Sequence, residues 1–180
     1  SVLLEAIRTF GEQARIYSNR LLTAQNRLQE IERGMRSNPQ DAQDQLDALE
    51  RDFDDVRDGL IELANIRRDV RLQSNAVAEL EHLRKFVTQK NLAEVRQAYE
   101  DAKAASGKFP NDANFKQLVE KLRLHTLFLD AQRDESNGLY QNALKKYGEV
   151  AETRDHEDAG SARINLNEVQ EAVTASADIT

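Results

Sequence analysis

The sequence has no cysteine and no tryptophan, and only 2 prolines, 7 glycines and 1 methionine in 180 residues. Without cysteine there is no disulfide, no thiolate nucleophile and no cysteine-ligated zinc. That absence is compatible with an oxidising compartment, so a periplasmic or extracellular setting stays open beside a slightly favoured cytoplasm. No apolar run approaches the roughly 20 residues that span a bilayer, so no membrane insertion is expected within this segment. Residues 1–10 carry Glu5 and Arg8 and lack a cleavage pattern, so no signal peptide is read there. The chain begins at Ser1 rather than Met, which fits a piece excised from something longer.

With so few breakers, a chain that is 39% hydrophobic and 32% charged reads as helical. A core of Leu, Ala, Val and Ile suits helix-on-helix packing, and the fold class expected is all-α. The formal net charge of -7 repels phosphate backbones, so nucleic acid is not an expected partner. The densest basic spot, Arg67, Arg68 and Arg71, is balanced by Asp69 and the acidic run upstream.

Apolar residues at Leu3, Leu4, Ile7, Phe10, Ala14, Tyr17, Leu21, Leu22, Leu28, Ile31 and Met35 step mostly by three and four. That stripe predicts a helix from about Val2 to Arg36, ended by "SNPQD", because the residue before a proline is pushed out of helical geometry. A second long helix is predicted from Pro39 to about Val87. Its positions Leu46, Leu49, Phe53, Val56, Leu60 and Leu63 alternate three and four as in a heptad seam. The two should fold back as a coiled-coil-like antiparallel hairpin over residues 1–88, with Gly59 and "QSN" at 73–75 as places to bend. Shorter helices are expected at about Leu92 to Ala105, stopped by Gly107, then from an Asn111 or Asp112 cap to Glu135. Two more should follow Gly138 and span Ala162 to Val173, with "TASADIT" frayed.

Within residues 138–150, "GLYQNALKKYGEV" spaces a glycine, an aromatic, an alanine and a second aromatic along one helix. Small residues at contact points let helices approach, and aromatics fill the space around them. The stretch resembles the second helix of a tetratricopeptide repeat. The resemblance implies that Gly138 makes the tight turn, Tyr140 packs back on the preceding helix, Ala143 permits contact and Tyr147 fills the groove. Leu127 and Ala131 stand where that family places a large and then a small residue. A weaker echo, "KNLAEVRQAYEDAKAASGKFPND", puts Leu92, Val95, Tyr99, Ala102 and Pro110 in the corresponding roles. Tyr99 and Tyr147 are 48 positions apart, against a family period of about 34. Asp134 replaces a large apolar residue, Val150 a small one, and no proline precedes the last helix. The resemblance covers about residues 76–175. It implies antiparallel helix pairs over 89–180, or one continuous helical array with the hairpin; another array of helical hairpins would use the same glycine, alanines and tyrosines.

Chemical motifs are scarce. Aligned on Gly59, the run "DQLDALERDFDDVRDG" gives Asp54 and Asp58 as calcium ligands but leaves Val56 and Asn65 in ligand slots. A solvated helix face is the expectation. His82, His125 and His156 lie on different elements without HxxxH or HExxH spacing, so no metal is expected. The first two are read as partly exposed helix residues and His156 as a loop residue. Neither GxSxG, GxGxxG nor GxxxxGK[ST] occurs, so no catalytic residue, no cofactor and no enzyme are expected.

The expected function is a non-catalytic interaction or scaffold module. As the resemblance implies, it would bind a partner protein or peptide in a helical-repeat groove through Asn142, Lys145, Lys146, Arg163 and Asn167. The alternative is a structural coiled-coil spacer that self-assembles as a homo-oligomer, as part of a larger, membrane-anchored or filamentous assembly.

Overall fold

The computed structural model describes residues 2–177, with side chains for residues 2–175. Among the described residues the chain is all-α, without a strand, and falls into two compact units that divide between Val77 and Ala78. The sequence reading placed the division at 88/89.

The first unit opens with helix α1, Val2–Gly34. After the turn, the Asn38 side chain accepts a hydrogen bond from the Asp41 N–H at 3.1 Å and Pro39 takes the first helical position, which starts α2, Pro39–Asp52. α2 folds back on the C-terminal half of α1. Arg20 donates through Nε to Asp55 Oδ2 at 2.7 Å, and Arg27 reaches Asp52 at 3.4 Å. Ala24, Leu28 and Ile31 of α1 bury against Ala42, Leu46, Leu49 and Phe53. Burial of each large side chain stabilises by roughly 1.5–3 kcal/mol, so this seam holds the unit together.

The single long second helix is not what forms. α2 stops at Asp52, Asp54–Gly59 is a 3₁₀ turn, and α3 starts afresh at Leu63–Arg84. Asp54, Asp55, Asp58 and Gly59 all have poor helix propensity, and the Phe53 N–H closes the end of α2 on Leu49 O at 3.0 Å. Gly59 also lies close to α1: a Cβ on it would stand 2.7 Å from Leu21 Cδ1. The heptad side chains nevertheless stay inside, because Phe53, Val56, Leu60, Leu63, Ile66 and Val70 complete the same core through the break. "QSN" at 73–75 causes no bend and lies within α3.

In the second unit, a 3₁₀ turn at Lys85–Thr88 leads to α4, Leu92–Lys108, α5, Ala113–Ser136, α6, Tyr140–Ala151, and α7, Ala159–Ala177. Each helix from α4 packs chiefly on the next in sequence. Asn91 caps α4 by accepting from the Ala93 and Glu94 N–H groups, and Asp112, rather than Asn111, caps α5 by accepting from Asn114 at 2.8 Å. α4 runs through Gly107, which therefore is not its stop. The helix ends before Pro110, with the Phe109 N–H bonded to Ala105 O. α7 is longer than expected and includes 174–177; the rest of "TASADIT" lies outside the described residues.

Candidate functional site

Between α5 and α6 the chain turns by a Schellman motif. The Leu139 N–H bonds Asp134 O at 2.8 Å, the Gly138 N–H bonds Glu135 O at 2.9 Å, and Gly138 sits at φ +74°, in the left-handed region that favours glycine. The turn brings α6 back along α5. Ala143 and Ala131 are fully buried at the approach of the two helices, and Leu127 is half-buried. Tyr147, fully buried, has its ring 5.8 Å from that of Phe128. Its hydroxyl donates to Glu135 Oε2 at 2.7 Å and accepts from Asn165 Nδ2 at 3.2 Å, threading α5, α6 and α7 together. Burial, then the bond to Glu135, hold this phenol protonated well above its usual range. Tyr140 differs from its expected role: at the first position of α6 it is 43% exposed.

Of the five residues expected to face a partner, Asn142 and Lys145 are exposed on α6 and Asn167 is exposed on α7. Arg163 is exposed but donates through Nε to Ala151 O at 3.1 Å, closing the end of α6. Lys146 is occupied within the fold, its Nζ lying 2.6 Å from Asp134 Oδ2. Asp134 is buried, so this ion pair makes a carboxylate tolerable at a position where an apolar side chain was expected.

A second polar cluster was missed by sequence reasoning. His125, read as partly exposed, is buried on α5. Its Nδ1 is 2.6 Å from Asp158 Oδ2 and its Nε2 is 2.7 Å from Gln89 O. Burial alone would disfavour the charged ring. The bonds to Asp158 and Gln89 and the nearby charges of Asp158 and Glu157 outweigh it, so the imidazole pKa lies above its ordinary value. His156 accepts from the Asp158 N–H at 3.2 Å and donates through Nε2 to Lys121 O at 3.0 Å. The signal was present: Phe115, Leu118, Leu122, His125 and Leu129 follow one three–four stripe of α5, which puts His125 on the buried face. A cleft of about 450 Å³ between Lys90, Gln132 and Glu157 reaches His125. Both ring nitrogens are already engaged, so in this geometry the imidazole has no free lone pair with which to take a proton from a bound molecule. Among the described residues no group of three or more His, Asp or Glu side chains could hold a metal ion, and no helix is long and apolar enough to cross a membrane.

In the first unit, the uncovered half of α1 is the main exposed apolar surface. Val2, Leu3, Leu4, Ile7 and Phe10 are all at least 61% exposed, and Ile16, Tyr17 and Leu22 at least 43%. Singly exposed apolar residues are ordinary; Leu3, Ile7, Phe10 and Tyr17 share one face of α1, whereas Val2, Ile16 and Leu22 lie off it. Compared with family models, with curated proteins and with solved structures, the chain matches none.

Proposed function

We propose that the chain is a non-catalytic protein–protein interaction or scaffold module, whose second unit is a tetratricopeptide-like stack of antiparallel helices presenting a face to a partner protein or peptide. The observation that carries this reading is the order of packing: α4 lies on α5, α5 on α6 and α6 on α7. Stacking of that kind leaves extended outer faces for binding. Lys145, Asn142 and Asn167 are exposed and their side chains make no hydrogen bond or ion pair among those described, so they are the recognition residues of choice. Lys146 is better assigned to stability, through Asp134. A peptide array probed with the chain and with Lys145→Glu tests this. Acidic peptides that bind the parent and lose binding in the variant support the reading. Equal binding removes Lys145 from it, and an array without any binder removes the peptide-groove role.

The second reading is a structural, self-assembling coiled-coil segment. It is favoured by one observation, the uncovered apolar stripe along α1.

A further inference from the structure

The stripe on α1 has a strict register. Leu3, Ile7, Phe10, Ala14, Tyr17, Leu21, Ala24, Leu28, Ile31 and Met35 alternate steps of four and three without a fault, the pattern of a heptad seam. The same seam has two fates. From Ala24 onward it is buried by α2, with Leu21 partly covered at the junction. From Leu3 to Tyr17 it is open, with Leu3 70%, Ile7 61%, Phe10 74% and Tyr17 43% exposed.

The flanking positions differ between the two halves. Beside the covered seam stand Arg20 and Arg27, which meet Asp55 and Asp52. Beside the open seam stand Leu4, Ala6, Gly11, Gln13 and Ser18, none charged, while Glu5, Arg8, Glu12 and Arg15 occupy the far side of the helix. An acidic helix such as α2 finds no cation to pair with there. An identical helix meets no like charge. We propose that the open half of α1 pairs antiparallel with the same segment of a second copy of this chain, an inference that rests on the self-assembly reading above.

Size complementarity fixes the orientation. In a parallel pair each seam residue faces itself, so Phe10 meets Phe10, Tyr17 meets Tyr17 and Ala14 meets Ala14, alternately overfilled and hollow. In an antiparallel pair with its two-fold axis at residue 12, Phe10 faces Ala14, Tyr17 faces Ile7 and Leu3 faces Leu21. Every bulky ring then meets a smaller neighbour, as interdigitated layers require. The flanks stay compatible: Gln13 faces Gln13, Gly11 faces Gly11, Leu4 faces Ser18 and Ala6 faces Arg20. The contact spans about 28 Å of helix at roughly 1.5 Å per residue. A contact of that length lies at the small end of specific interfaces, so the dimer is reversible rather than permanent.

Analytical ultracentrifugation of the full chain from micromolar to millimolar concentration is the test. The expected result is a concentration-dependent shift from the 20.5 kDa monomer to twice that mass. Phe10→Asp weakens the dimer by roughly tenfold or more, since it puts a charge into an apolar layer. Because Phe10 touches no core residue, the variant keeps its circular dichroism spectrum. A monomer at every concentration overturns both the pairing and the self-assembly reading, and leaves the seam to a partner of different sequence. A dimer indifferent to Phe10→Asp overturns the pairing but spares that reading. With no native cysteine, orientation is read by a short bis-maleimide: Leu4→Cys links to Ser18→Cys in mixed samples and not to itself. Self-linking of Leu4→Cys overturns the antiparallel arrangement.

Discussion

His125 and Asp158 are joined by a 2.6 Å contact across two elements, the middle of α5 and the turn before α7. The other ring nitrogen of His125 lies 2.7 Å from Gln89 O, ahead of α4. A carboxylate and a carbonyl only accept, so the ring satisfies both when it carries two protons. In that doubly protonated form the ring clamps three parts of the second unit.

The clamp carries a pH signature. The folded-state pKa of His125 is raised above its unfolded value, so its stabilisation is fully present below about pH 6.5 and is lost as pH rises through the folded pKa. In that window the His125 contribution falls by at most about 1.4 kcal/mol per pH unit. Urea unfolding of the parent and of His125→Gln at steps from pH 6 to 9 measures it. The expected outcome is a steeper decline for the parent; parallel curves would rule the clamp out.

Asp134 and Lys146 lead to the next prediction. The carboxylate is 5% exposed and its nearest cation is Lys146. Lys146→Met leaves the charge poorly compensated, with Arg133 at 3.9 Å as the remaining cation. The expected loss is about 1–3 kcal/mol of unfolding free energy. Lys145→Met, one position along on the exposed face, changes stability by under about 0.5 kcal/mol. Chemical denaturation of the two variants side by side checks the contrast, and equal effects would remove Lys146 from its assigned place in the fold.

These neighbours show which parts of the molecule were legible in the sequence. Periodicity reports which face of a helix is buried, so the core residues Leu46 to Leu63 are legible in the sequence even though the helix carrying them is broken. It does not report whether a seam is covered, so α1 and the second helix looked equally paired along their lengths. Local rules caught the Gly138 turn and narrowed the α5 cap to Asn111 or Asp112, because both are settled within a few residues. They missed the cluster of His125, Asp158 and Gln89, in which Asp158 and Gln89 lie 33 and 36 positions from His125. No spacing rule joins groups so far apart. Asp134 is a carboxylate on a buried face beside Arg133 at 3.9 Å, and its pairing with Lys146 at 2.6 Å lies outside any local spacing rule.

Gly138 offers a test of local strain. Nothing lies within 4 Å of where its Cβ would stand, so a side chain there meets no steric neighbour. The penalty of Gly138→Ala is then conformational alone, from φ +74°. The expected destabilisation is about 1 kcal/mol, and Gly138→Asn, which tolerates the left-handed region, recovers part of it. Thermal unfolding of both variants checks the order parent, asparagine, alanine. An alanine variant as stable as the parent would mean that the turn is free to take another form.

Tyr147 separates volume from hydrogen bonding at one position. Its ring fills fully buried space beside Phe128, and its hydroxyl joins Glu135 to Asn165. Tyr147→Phe keeps the ring and leaves the two polar partners, both only partly buried, to find water. The expected loss is about 1 kcal/mol. Tyr147→Ala also empties the fully buried space that the ring fills beside Phe128, and costs about 3–5 kcal/mol. Because α6 holds α7 through the same tyrosine, the alanine variant should also speed amide exchange in α7 while the first unit is unchanged. Urea titration gives the two energies, and hydrogen exchange locates the loosening. A phenylalanine variant as damaged as the alanine one would show that the hydroxyl, rather than the ring, holds the stack.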